Sequence, residues 1–137
     1  MDLQNLSYAA VQVVHNFGAA TVVASPLAAL TLAREHLDTQ HKLAWLALAG
    51  WVAQLASGAA FGAVSFYNYG KFPDLHGIAI AALTIKVACA GLALLLGLSL
   101  IRSGANWTGK GRHRAWHALA GLGTTALTAA AFLRWFS

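Results

Sequence analysis

The stretch VQVVHNFGAATVVASPLAAL, Val11 to Leu30, decides how the chain is read, because it is apolar enough to cross a membrane and yet carries a histidine, His15, well inside. It belongs to a longer apolar segment, Leu6 to Leu32. About 20 apolar residues rising ~1.5 Å each span the hydrocarbon core of a bilayer. An imidazole inside such a span is costly unless something binds it, and ionisable groups in spans face the bundle interior and mark function by default. On a helical wheel Asn5, Tyr8, Gln12, His15 and Asn16 make one stripe, expected to face protein, against a lipid-like face of Val11, Val14, Phe17, Val22 and Leu32. The proline in Ser25-Pro26 removes one backbone donor and predicts a local bend or tightening, which a bundle tolerates.

Three more apolar segments follow, roughly 43–66, 75–101 and 115–136, with most of the charges in the short connectors. The expected fold is all-α, one integral membrane domain over 1–137 built as an up-down-up-down four-helix bundle. Composition agrees: 58% of the 137 residues are hydrophobic and only 9% charged. The net charge of +5 would suggest nucleic acid for a soluble chain, but the basic residues sit at helix ends, so lipid bilayer rather than nucleic acid is the expected environment. Arg34, Lys42, Arg102, Lys110, Arg112 and Arg114 flank the first and third connectors, while Lys71 and Arg134 lie at the other end. The positive-inside rule then puts both termini outside the cytoplasm of a bacterial inner membrane. The first segment lacks a basic leader and a small-residue cleavage site, and is expected to stay in the mature protein.

Soft-metal ligands are scarce, since Cys89 is the one cysteine and Met1 the one methionine. Trp45 and Trp51 have the look of an interfacial belt. In the second segment Gln54, Ser57, Gly58, Phe61, Gly62 and Ser65 share a face, and Gly58-x-x-x-Gly62 would admit a neighbouring backbone or a flat ligand. The outer connector FYNYGKFPDLHG ends in Pro73-Asp74, a helix start signal, and delivers His76 to the outer end of the third helix. Counting from the aromatic residues at ~1.5 Å per residue puts His15 ~10 Å and His76 ~6 Å deep, so the two would face one cofactor.

Lys86 sits near the middle of the third segment, too deep to reach the interface, at a cost of roughly 2.5–3.5 kcal/mol. Asp2, Glu35, Asp38 and Asp74 all lie at ends or in connectors, which favours a bound anionic group or a neutral lysine over an internal salt bridge. Ala79, Ala82, Lys86, Ala90, Ala93 and Gly97 share a small-residue face that leaves room beside it. The basic connector GANWTGKGRHRAWHAL sets His113 and His117 four apart, so a surface cluster with His36 and His41 is one reading and contact with anionic head groups the other. His117 is expected to continue inward through Gly121, Thr124 and Thr128.

So much inward polarity suggests a buried planar cofactor. Haem b suits it, because imidazole ligates iron, glycine and alanine admit the macrocycle, and lysine pairs with propionates. His15 and His76 lead as axial ligands, with Lys86 and His117 as further cofactor contacts and His41 with His117 as the alternative pair; one haem is expected, or two if both pairs are used. Zinc would need a closed ligand set that the sequence does not supply.

The run HNFGAATVVASPLAAL, then SGAAFG, then YGKFP leading to IKVACAGLALLLGLSLIRSG, resembles the CopD-like superfamily of bacterial membrane proteins. That group includes the membrane domain of copper-resistance protein D and, more distantly, HemJ-type protoporphyrinogen oxidases. The resemblance implies a four-helix unit in which His15 and Lys86 are the functional pair, and in HemJ-type proteins those positions go with haem b and porphyrinogen oxidation. Three functions are therefore expected in turn: a small b-type cytochrome carrying electrons between quinone and an outer-face redox partner, a haem-dependent oxidoreductase of HemJ type, and a copper-handling or structural subunit. Association of the chain with itself stays open.

Overall fold

Alanine and leucine dominate all four apolar segments, and in a bilayer such helix formers satisfy every backbone group within their own segment. A computed structural model describes residues 3–136, which form α1 (Leu3–Thr31), α2 (Leu37–Tyr69), α3 (Ile78–Ser103) and α4 (Gly109–Phe136), with a short 3-10 turn at Gly104–Asn106. Each of the four is long and apolar enough to cross a membrane, the third span running from Ile78 to Asn106. The all-α four-helix bundle is as the sequence predicts. The helices also outrun the apolar segments. α2 has 33 residues, about 50 Å at ~1.5 Å per residue against a hydrocarbon core of ~30 Å. Apolarity marks the part of a helix that meets lipid, whereas hydrogen bonding carries the helix on into the polar zone, so His41 and Lys42 lie on α2 and Arg112 and His113 on the first turns of α4.

The third helix starts later than the sequence signal suggests. Pro73-Asp74 opens no helix; the chain turns at Gly77, with φ at 50°, and enters α3 at Ile78, so His76 stays in the connector. α2 stops at Gly70, whose left-handed φ of 67° lets its N–H donate to the Phe66 carbonyl at 2.8 Å.

Each helix packs on its neighbours in the chain, and α4 closes the ring against α1, which leaves α1 and α3 on a diagonal. Close approach depends on small residues, since lipid supplies no hydrophobic drive between helices. A Cβ on Gly18 would lie 3.0 Å from the Gln54 side chain and 3.2 Å from the Gly50 carbonyl, so α1 and α2 touch there nearly backbone to backbone. A Cβ on Gly123 would lie 3.0 Å from the Val22 carbonyl oxygen. That carbonyl is the one Pro26 leaves without its helical N–H, so α4 packs against the acceptor the proline frees. The same contact explains why Val22, expected toward lipid, is buried. Gly58, the expected packing glycine of α2, has nothing within 4 Å of its Cβ position.

The core runs through Val22, Trp51, Cys89, Ala90, Ala93, Trp116, Leu119 and Ala126. Trp45 is 53% exposed, as a belt residue should be, but Trp51 is 1% exposed and fills the bundle interior. The small face of α3 is buried as expected at Ala79, Ala82, Ala90, Ala93 and Gly97. The expected stripe of α4 is not. His117, Gly121, Thr124 and Thr128 are exposed, and Ala115, Trp116, Leu119, Gly123, Ala126 and Ala129 face inward. Both threonine hydroxyls donate to carbonyls one turn back, at 2.9 Å, so they cost little when turned outward. On α1, Asn5, Gln12 and Asn16 are likewise exposed, and Gln12 satisfies Asn16 at 2.7 Å.

Candidate functional site

His15 and Lys86 meet across the diagonal of the bundle. Lys86 Nζ lies 3.1 Å from His15 Nε2, and His15 Nδ1 lies 2.7 Å from the Ser57 hydroxyl of α2. The remaining bonds fix the proton positions. The Ser57 hydroxyl donates to the Ala53 carbonyl one turn back, so its oxygen accepts from His15 Nδ1–H. The neutral ring then carries its lone pair on Nε2, where it accepts from Lys86. Gln54, also buried, donates its side-chain amide to the His15 backbone carbonyl and ties α2 to α1 at this level.

An aromatic wall flanks the ring. Phe61 meets the His15 imidazole edge-on at 5.6 Å between centroids and stacks with Tyr8 at 6.5 Å. His15, Lys86, Tyr8 and Phe61 are half-buried, while Ser57 is 3% exposed. Lys86 therefore meets the imidazole that the family resemblance paired with it, and among the described residues no carboxylate pairs with it. Ser57 and Gln54 had been placed on one face of α2, but only the tertiary fold reveals them as the groups that orient His15.

The other candidate residues lie elsewhere. His76 pairs with Asp74 at 2.9 Å in the connector, both side chains 81% exposed, and so stands apart from His15 rather than facing it. His117 and His113 touch at the opposite end of the bundle, ring centroids 4.4 Å apart, with His117 Nδ1 donating to the His113 carbonyl at 2.9 Å. His41 is exposed at that same end. Among the described residues no three His, Cys, Asp or Glu side chains converge, so the surface cluster of four imidazoles does not assemble.

A second polar node, unforeseen in the sequence, ties the first connector to α4. Buried Gln40 donates to the Ala33 carbonyl at 3.0 Å and the Arg34 carbonyl at 2.8 Å, and its own oxygen accepts from Trp116 Nε1 at 3.1 Å. One amide thereby ties α2, α4 and the α1–α2 connector together.

A haem at His15 would need the Nε2 lone pair that here accepts from Lys86, so Lys86 would have to turn to another acceptor as iron took its place. Histidine that ligates a metal donates its other ring N–H to a fixed acceptor, the role Ser57 fills here. His15 is half-buried, and a Cβ on Gly58, next to Ser57 in the chain, would meet nothing within 4 Å. Comparison with protein-family models, curated proteins and solved structures finds no match.

Proposed function

We propose that the protein binds haem b and works as a membrane redox protein, with His15 as the axial ligand and Lys86 holding an anionic group of the cofactor or substrate. The observation that carries this reading is the His15 ring, held inside a span as its Nδ1–H tautomer by Ser57 with Nε2 toward the interior. The haem, when bound, would supply one-electron chemistry. Ser57 would keep the ligating lone pair on Nε2, and Lys86, displaced from that lone pair, would offer a cation in surroundings where water screens it poorly. Purified in detergent, the protein should show a Soret band with about one haem per chain. Its absence after reconstitution with haemin would end the proposal.

Two redox roles share this site. A cytochrome passing electrons between quinone and an outer-face partner would use His76 as second ligand, which requires the connector to release it from Asp74. His36, His41, His76 and His117 are all exposed, which favours the second role, in which a porphyrinogen-like substrate with anionic groups would be oxidised beside Lys86 with a quinone or redox partner protein as electron acceptor. Oxidation of added porphyrinogen distinguishes the two. Copper handling draws less support, since no methionine lies in any span.

We place the protein in a bacterial inner membrane with both termini outside, on the strength of the six basic residues beside the first and third connectors. A reporter inserted at Gly109 should register the cytoplasmic side, and one fused to the C-terminus the opposite side.

A further inference from the structure

The connector end of the bundle holds a cleft of about 230 Å³ between the α1–α2 connector and the start of α4. Arg34, Lys110, Arg112 and His113 line it, with Glu35 as the one carboxylate, above a base formed by Gln40 and Trp116. Among the described residues none of Arg34, Lys110 and Arg112 is in salt-bridge contact, Glu35 notwithstanding. The cleft thus gathers three unneutralised cations against one anion.

Its geometry is preorganised. Arg112 is pinned by Nη1, which donates to the Gly104 carbonyl at 3.2 Å and to the Trp107 carbonyl. A guanidinium has five N–H donors, so the others remain for a ligand. The Gln40–Trp116 bond holds the base rigid. The first turn of α4 carries no acidic residue, leaving its helix dipole to add to the positive field. At about 230 Å³ the cleft is below the ~300–1,000 Å³ of sites for drug-sized ligands, which suits a small anionic group rather than a nucleotide.

We propose that this cleft binds a phosphoryl group, with Arg34 and Lys110 closing over it and Arg112 fixing its orientation. Arginine matches the oxygens of a phosphoryl group with paired N–H donors, and lysine adds a point charge. Free phosphate and a phosphomonoester lipid head group share this chemistry. The cleft lies far along α1 from His15, and its occupancy does not depend on haem.

The test uses the full chain and an Arg34→Gln/Lys110→Gln double variant, two exposed positions whose replacement should leave the melting temperature unchanged. Inorganic phosphate is titrated in detergent and followed by 31P line broadening, with chloride as competitor. In parallel, nanodiscs of phosphatidic acid in phosphatidylcholine are scored for lipid retained after extraction. Saturable binding of phosphate identifies a free anion, and retention of phosphatidic acid alone identifies a head group. Either should weaken at least about tenfold in the double variant. No saturable binding of either probe, binding that chloride abolishes at equal concentration, or affinity unchanged in the double variant would overturn the proposal.

Discussion

The same four helices build two unlike halves. Toward the basic connectors, Ala29, Ala33, Gln40, Ala44, Ala47, Leu100, Trp116 and Leu119 are buried, and the one amide inside is fully bonded. Toward the termini, α1 has no buried residue before Gly18 and α2 none after Ser57, although Ala79, Ala82, Ala126 and Ala129 stay covered on α3 and α4. His15 and Lys86 lie where the close packing gives way. The difference teaches that close packing is concentrated at one end, while at the other Gln54 still ties α2 to α1 and the His15–Lys86 pair stays half-buried.

The strongest way to break this comparison is to cut the tight half. Trp116→Ala should destabilise the protein by about 3–5 kcal/mol, the range for a large buried aromatic, and also strand the Gln40 oxygen. Thermal or denaturant unfolding in detergent checks it, and a loss under about 1 kcal/mol would mean that this end does not hold the fold. The two halves should also answer one substitution in opposite senses. Gly123→Ala forces a methyl to within 3.0 Å of the Val22 carbonyl and should cost about 1–3 kcal/mol. Gly58→Ala meets nothing and should be neutral or gain about 0.5 kcal/mol from helix propensity. Equal effects from the pair would erase the contrast.

Smaller changes probe the open half. Lys86→Met should keep the fold, with the melting temperature unchanged or raised because a desolvated ammonium is gone, while cofactor retention or turnover falls. Unchanged haem content, redox potential and turnover would remove Lys86 from the site. Ser57→Ala should cost about 1 kcal/mol or less and shift the haem spectrum by freeing the His15 ring to change tautomer. Resonance Raman of the iron–histidine stretch reads that shift directly.

The bundle was legible in the sequence because four apolar segments and their charged connectors each declare a span locally. The inward face of α3 was legible for the same reason, small residues recurring every three or four positions. His15 could be singled out as lying inside a span, but that Ser57 and Gln54 orient it depends on the antiparallel register of α1 and α2, which no spacing encodes. Gln40 was hidden likewise, being a polar residue near a connector whose partners come from that connector and from distant α4. The face of α4 was misread because Thr124 and Thr128 look like interior polarity in sequence, whereas each satisfies its own hydroxyl along the helix. His76 was misplaced because Pro73-Asp74 signals a helix that the chain delays until after Gly77.

The central claim is that His15 ligates haem, and the visible spectra of His15→Ala and His36→Ala test it most directly. His15 is half-buried in a span and held by Ser57, while His36 is exposed in a connector. The account predicts that the Soret band is lost or strongly altered in His15→Ala and unchanged in His36→Ala. Native spectra in both variants would contradict it.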